Sequence, residues 1–221
     1  MNAAIPLHRR AIAELIGTAF LVAIGPGAAV VDVAYHGTVT HLGVAVAFAL
    51  IVMAMVATFG AVSGAHINPA VTLALWSDRR IAGKEVPAYL LAQCGGAVLG
   101  AAAIAAALGS AAPAGATVPT VPTAAAIGVE LVLSILLMLA ILAVVNTPAL
   151  QPVGPFVIGF TVGACALVGG PLTGASMNPA RSFGPALVTG TWQAHWIYWA
   201  APIGGMLATV RGYTWIREPG R

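Results

Sequence analysis

Charge is scarce in this sequence. Its 221 residues hold nine Lys and Arg and six Asp and Glu, so only 7% of side chains are charged. Ordinary soluble domains carry about 25%, so the composition excludes that class. Cysteine is nearly missing as well. Cys94 and Cys165 both fall inside long apolar runs, which speaks against a disulfide or a metal site. No nucleophile–base pair and no cluster of metal ligands supports an enzyme, so neither catalytic residues nor a cofactor is expected. The apolar runs do not alternate with polar residues as barrel strands would, which leaves helices. The net charge of +3 is not a nucleic-acid signal.

Hydrophobic residues, by contrast, make up 60% of the chain, with a mean hydropathy of +0.96. A spanning helix needs about 20 mostly apolar residues. Six stretches qualify, at roughly 10–34, 38–60, 85–108, 124–146, 153–170 and 194–216. Gly, Ala and Leu fill them, which suits closely packed transmembrane helices. The opening "MNAAIPLHRRAIAELIGTAF" has the basic flank of a signal peptide. Its apolar run continues too far, and with Glu14 inside it, it is expected to remain as the first span. Eight basic residues (Arg9, Arg10, Arg79, Arg80, Lys84, Arg211, Arg217 and Arg221) fall on one side of a six-span chain. The long connection "GSAAPAGATVPTVPT", on the other side, has none. The positive-inside rule then puts both termini in the cytoplasm, and a multi-pass protein of the inner (cell) membrane is expected. The ninth basic residue, Arg181, is the exception.

The chain also repeats itself. Residues 63–70, "SGAHINPA", align without a gap with 173–180, "TGASMNPA". Tyr89 precedes Gly95-Gly96 as Tyr198 precedes Gly204-Gly205, and Glu14 and Glu130 head the two halves. Three spans per half is an odd number, so the halves enter the membrane in opposite senses. The result is an inverted repeat in one membrane domain covering 1–221, with repeats about 8–108 and 122–217 and a linker at 109–121. In such folds the site lies at the midplane, where broken helices meet.

Asn before Pro is a helix-start signal, since Asn caps and Pro fits the first turn without losing a hydrogen bond. The helices that follow, 69–76 and about 179–188, are too short to cross. At 1.5 Å per residue they reach only about half of a ~30 Å hydrocarbon core. Two of them, one from each side, would meet tip to tip. A single such motif reads as a Pro kink or re-entrant turn. Two copies in inverted halves point instead to half-helices that meet where protein or a water-filled cavity covers them.

These features resemble the aquaporins of the major intrinsic protein family. The likeness covers both NPA segments, Glu14 and Glu130, "YLLAQCGGAVLGA" and "HWIYWAAPIGG". It implies an all-α transmembrane bundle of six spanning helices plus two re-entrant half-helices, with a pore in each protomer of a homotetramer in the lipid bilayer. The pore motifs would be Asn68, Pro69, Ala70 and Asn178, Pro179, Ala180. Both half-helices then aim their positive ends at the pore centre, which repels cations. The two Asn amides can each donate to one passing water oxygen, turning its hydrogens outward and interrupting proton hopping.

Glu14 and Glu130 are costly in a membrane, ~2.5–3.5 kcal/mol each on insertion scales, so each needs a partner. The likeness suggests that they brace the re-entrant loops; a proton relay is the alternative. His66 is read as a loop hydrogen-bonding group near the cytoplasmic vestibule, with a gate as the alternative. Trp192, Trp196, Trp199 and Trp215 fit an interfacial belt.

Arg181 at membrane depth must face water or a partner. By resemblance it lines an aromatic/arginine selectivity filter whose other positions fall on Phe48, Ala166 and Ala175; packing is the alternative for those three. Water-specific aquaporins usually carry His where this chain has Ala166, so a wider, more apolar constriction is expected. "GPLTGASMNPARS" is most similar to plant nodulin-like and some bacterial members, which often pass small uncharged solutes. Water conduction is therefore expected, with glycerol, hydrogen peroxide or arsenous acid as further permeants. The rivals are an aquaglyceroporin or metalloid facilitator, a coupled secondary transporter and a structural membrane protein. A transporter lacks a titratable site beyond the two glutamates, and a structural protein leaves Arg181 and the paired Asn residues unexplained.

Overall fold

The computed structural model describes residues 5–217, so Arg221 lies outside the described residues. Eight α-helices follow one another: α1 Leu7–Ala34, α2 Thr40–Ser63, α3 Pro69–Ser77, α4 Val86–Leu108, α5 Thr123–Asn146, α6 Gly154–Thr173, α7 Pro179–Thr189 and α8 Ile197–Arg217. Six are long and two are half-length, and there is no strand among the described residues. The segments containing α1, α2, α4, α5 and α6 are apolar and long enough to cross a membrane. The sixth long helix, α8, has 21 residues and carries Arg211 and Arg217 towards its end.

Helix pairing follows the repeat. α1 packs on α4 as α5 packs on α8, and α2 lies against α6 across the centre. Each half-helix rests on a long helix of the other half, α3 on α8 and α7 on α4. The tips of α3 and α7 touch. Small residues permit the closest approach. A Cβ on Gly96 or Gly100 of α4 would collide with the carbonyl oxygen of Leu15 or Ala19 on α1. That spacing of small residues lets two membrane helices pack backbone to backbone, where lipid gives no hydrophobic drive.

Helix ends differ from the predicted ones for local reasons. α2 runs three residues further, to Ser63, and stops at Gly64, which is left-handed at φ 91°. α6 continues through Pro171 to Thr173. Pro171 offers no N–H to the carbonyl four residues back, Leu167. That oxygen instead meets His41 Nε2 of α2 at 2.7 Å, so the helix survives its proline. The Pro- and Ala-rich connection has structure of its own, with a 3₁₀ turn over Gly109–Gly115 and a buried Thr117. At the start of α8, Trp192 and Trp199 pack edge-on against Phe183, while Trp196 and Trp215 are exposed. Trp199 Nε1 can only donate, and it points at His195 Nε2.

Candidate functional site

The two turns that precede the half-helices share one backbone shape. Gly64, Ala65 and Ile67 have positive φ, at 91°, 46° and 41°, and Gly174, Ala175 and Met177 repeat them at 83°, 44° and 52°. Left-handed geometry at a β-branched residue such as Ile67 is costly and must be held from outside. A buried carboxylate stands behind each turn. Glu14 accepts from the backbone N–H of His66 and Ile67 (2.9 and 2.6 Å), from Ser63 Oγ and from Gln93 Nε2. Glu130 accepts from the N–H of Ser176 and Met177, both at 2.8 Å, and from Thr173 Oγ1. Successive N–H groups of a left-handed turn form an anion nest, and here a side chain fills it. Tyr89 and Tyr198 close the turns from the far side, donating to the carbonyls of Ser63 and Thr173.

Asn68 and Asn178 then cap the half-helices, each with Pro at the first position. Asn68 Oδ1 accepts from Ala70 N–H, and Asn178 Oδ1 accepts from Ala180 and Arg181 N–H. The amide nitrogens cross over. Asn68 Nδ2 donates to the Met177 carbonyl and Asn178 Nδ2 to the Ile67 carbonyl, both at 2.8 Å. Each amide has two hydrogens. One ties the opposite turn, which leaves one on each nitrogen.

Both asparagines line a cavity of about 100 Å³. That is several times the about 10–15 Å³ that a single water needs, so it has room for more than one water. One wall is apolar, with Leu21, Val52, Val56, Leu137, Ile141, Ile158 and Val162. The two turns, from Gly64 to Asn68 and from Ala175 to Asn178, and Arg181 also line it. His66 is in the first of these turns, its Nδ1 3.1 Å from Thr72 Oγ1 and its ring 5.1 Å from that of Tyr89.

Phe48 and Arg181 meet at one end, with the guanidinium carbon 5.2 Å from the ring centre. Arg181 is 5% exposed, so its charge is largely removed from solvent. Nη1 donates to the Gly115 carbonyl at 2.8 Å, Nη2 reaches the Gly174 carbonyl at 3.5 Å, and buried Nε has no partner among the described residues. Ala175 lines the cavity; Ala166 does not. Ala166 continues the face of Ile158 and Val162 along α6, but its side chain ends at a methyl group. Cys165 is buried 3.9 Å from the Leu133 carbonyl and is also absent from the lining.

Sequence reasoning passes over Gln93, Thr117 and Ser176 among the polar residues of this site. Gln93 links Glu14 to Thr72. Thr117, Ser182 and Ser176 form a buried chain of hydroxyls beside the second turn. The repeat was the available signal, because Thr72 and Ser182 each lie four residues beyond their Asn, one turn into the half-helix.

A family model described as "Major intrinsic protein" matches residues 2–211. Aquaporin NIP1-1 of Zea mays is 37% identical over 98% of this chain and 78% of its own length. Nodulin-26 of Glycine max is 37% identical over 96% and 79%. Aquaporin TIP4-4 of Zea mays is 44% identical over 90% and 83%. The fold is similar to that of an aquaglyceroporin from Plasmodium falciparum solved by X-ray crystallography. The TM-score is 0.84 and the identity 24%, over 97% of this chain and 98% of that one.

Proposed function

The chain belongs to the major intrinsic protein family, and from that premise we propose that it is a passive channel whose main permeant is water, which it passes while excluding protons and ions. Membership makes it a multi-pass membrane channel rather than an enzyme. The observation that carries the finer reading is the crossed pair of asparagines. Each amide spends one hydrogen on the opposite turn and keeps one for the cavity. Two donors fixed at the meeting point of two helix N-termini hold one water by its oxygen. The water's own hydrogens then point away along the pore in both directions. A proton hopping through would need that water to turn over, against both donors and the positive ends of α3 and α7. The apolar wall offers no competing acceptor, so a water moves along the turns with few bonds to break.

Other roles follow. Glu14 and Glu130 brace the turns, and their full set of donors supports that over proton relay. His66 is a fixed group of the cytoplasmic vestibule. Phe48, Ala166, Ala175 and Arg181 form the outer constriction, where Arg181 repels cations. Two of those four end at a methyl group, which favours passage of small neutral solutes such as glycerol, hydrogen peroxide or arsenous acid beside water. The whole chain, 1–221, is one channel domain with repeats about 8–108 and 122–217. Four protomers, each with its own pore, assemble in the inner membrane with both termini cytoplasmic. The test is stopped-flow light scattering on proteoliposomes. Osmotic water flux that is non-saturating and independent of a proton gradient is expected. Flux no higher than that of empty vesicles would refute the proposal, and flux driven by a proton gradient would turn it into a coupled transporter.

A further inference from the structure

We propose that Thr117, in the connection between the two halves, is a positioning residue that sets the width of the constriction by holding Arg181. The inference rests on the reading of Arg181 as a constriction residue. Its starting point is a difference between the repeats. In the first half, Gln93 of α4 donates to Thr72, the residue one turn into α3. Tyr89 and Tyr198 correspond, so the place of Gln93 falls on Pro202 in α8, which has nothing to donate. Ser182, the counterpart of Thr72, is nonetheless fully buried. Its donor comes from elsewhere: Thr117 Oγ1 donates to Ser182 Oγ at 2.8 Å.

Counting hydrogens gives the chain a direction. The single hydroxyl hydrogen of Ser176 goes to the Asn178 carbonyl at 2.9 Å. The 2.6 Å contact between Ser176 and Ser182 must therefore be donated by Ser182. The order is Thr117 to Ser182 to Ser176 to the Asn178 carbonyl. Hydroxyls aligned head to tail strengthen one another, and none can turn without stranding a neighbour.

Thr117 also stands between the two carbonyls that accept from Arg181. Gly115 is two residues before it, and Gly115 O takes Nη1. Gly174, whose carbonyl faces Nη2, lies against the Thr117 side chain: a Cβ on Gly174 would sit 2.9 Å from Thr117 Cγ2. Among the described residues Arg181 Nε has no partner, and these two carbonyls are the acceptors that the guanidinium has there. Releasing the Thr117 hydroxyl frees the segment that carries one and abuts the other. The guanidinium then moves, and the opening beside Phe48 widens.

The experiment compares wild type, Thr117→Val and Thr117→Ser in proteoliposomes, with glycerol as the probe and the glycerol-to-water permeability ratio as readout. Valine keeps the methyl contact and removes the hydroxyl; serine does the reverse. The ratio is expected to rise about five-fold in Thr117→Val, the weight of one buried hydrogen bond, and to return towards wild type in Thr117→Ser. Ser182→Ala is expected to raise it similarly, with no further rise in the double variant, because both break one chain. A ratio within two-fold of wild type in Thr117→Val that still conducts water overturns the proposal. If Thr117→Val does not assemble, Ser182→Ala, which leaves the connection intact, is read by the same two outcomes. Absence of water flux in wild type itself would refute the channel reading instead, and so is told apart.

Discussion

Replacing either buried glutamate by glutamine keeps its size and removes one acceptor oxygen, and the two replacements are expected to cost different amounts. At Glu130, one oxygen accepts from Thr173 Oγ1 and Ser176 N–H, the other from Met177 N–H alone. An amide placed with its nitrogen towards Met177 strands a single donor, which costs about 1–3 kcal/mol. Glu14 has no such cheap placement. One oxygen accepts from His66 N–H and Ser63 Oγ, the other from Ile67 N–H and Gln93 Nε2. Either orientation strands a backbone N–H and also forces Ser63 or Gln93 to turn, and turning Gln93 gives up its bond to Thr72. That adds about 1 kcal/mol, for about 2–4 kcal/mol in all. At about 2–4 °C per kcal/mol for a chain of this size, Glu14→Gln is expected to lower the melting temperature by about 4–16 °C, and Glu130→Gln by about 2–12 °C. Thermal unfolding in detergent, followed by tryptophan fluorescence, measures both. The ordering is the sharper test. Two variants as stable as wild type, or Glu130→Gln the less stable, would refute the nest as the support of these turns.

Arg181→Val removes a fixed positive charge from the proposed constriction, a low-dielectric place where Coulomb effects are strongest. Proton or cation conductance is expected to rise while water still passes, and a conductance no higher than wild type would count against that role. Ala166→His adds a ring at a position that falls just short of the cavity, so glycerol flux is expected to fall several-fold with most water flux kept; equal loss of both would contradict this. Gly25 of α1 supports the Phe48 ring, and a Cβ there would sit 2.5 Å from Phe48 Cε1. Gly25→Ala is expected to push the ring towards Arg181 and reduce glycerol flux more than water flux, with an unchanged ratio as the contrary result.

Features written in local pattern were legible in the sequence. The Asn-Pro pairs start half-helices at residues 69 and 179, because a side-chain cap and a missing N–H are properties of adjacent residues. Glu14 and Glu130 stood out because a membrane penalises an unpartnered charge, and each proves to have several donors. Phe48 and Ala166 came only from the family register. Neither is marked by its own chemistry in so apolar a chain. The bond between Thr117 and Ser182 is illegible for another reason. Ser and Thr are tolerated almost anywhere in such a chain, and this bond joins residues 65 positions apart. α6 runs three residues beyond its approximate predicted end, through Pro171, because the acceptor that this proline frees is met by His41, on another helix.

The central claim is that two crossed asparagines let water through a pore that stops protons. It is tested most directly by measuring both fluxes on the same wild-type proteoliposomes. Osmotic shrinkage followed by light scattering gives water permeability, and an entrapped pH-sensitive dye gives proton entry under an imposed gradient. Water permeability at least ten-fold above empty vesicles, with proton entry indistinguishable from theirs, is the expected result. Proton entry that rises in step with water flux would contradict it.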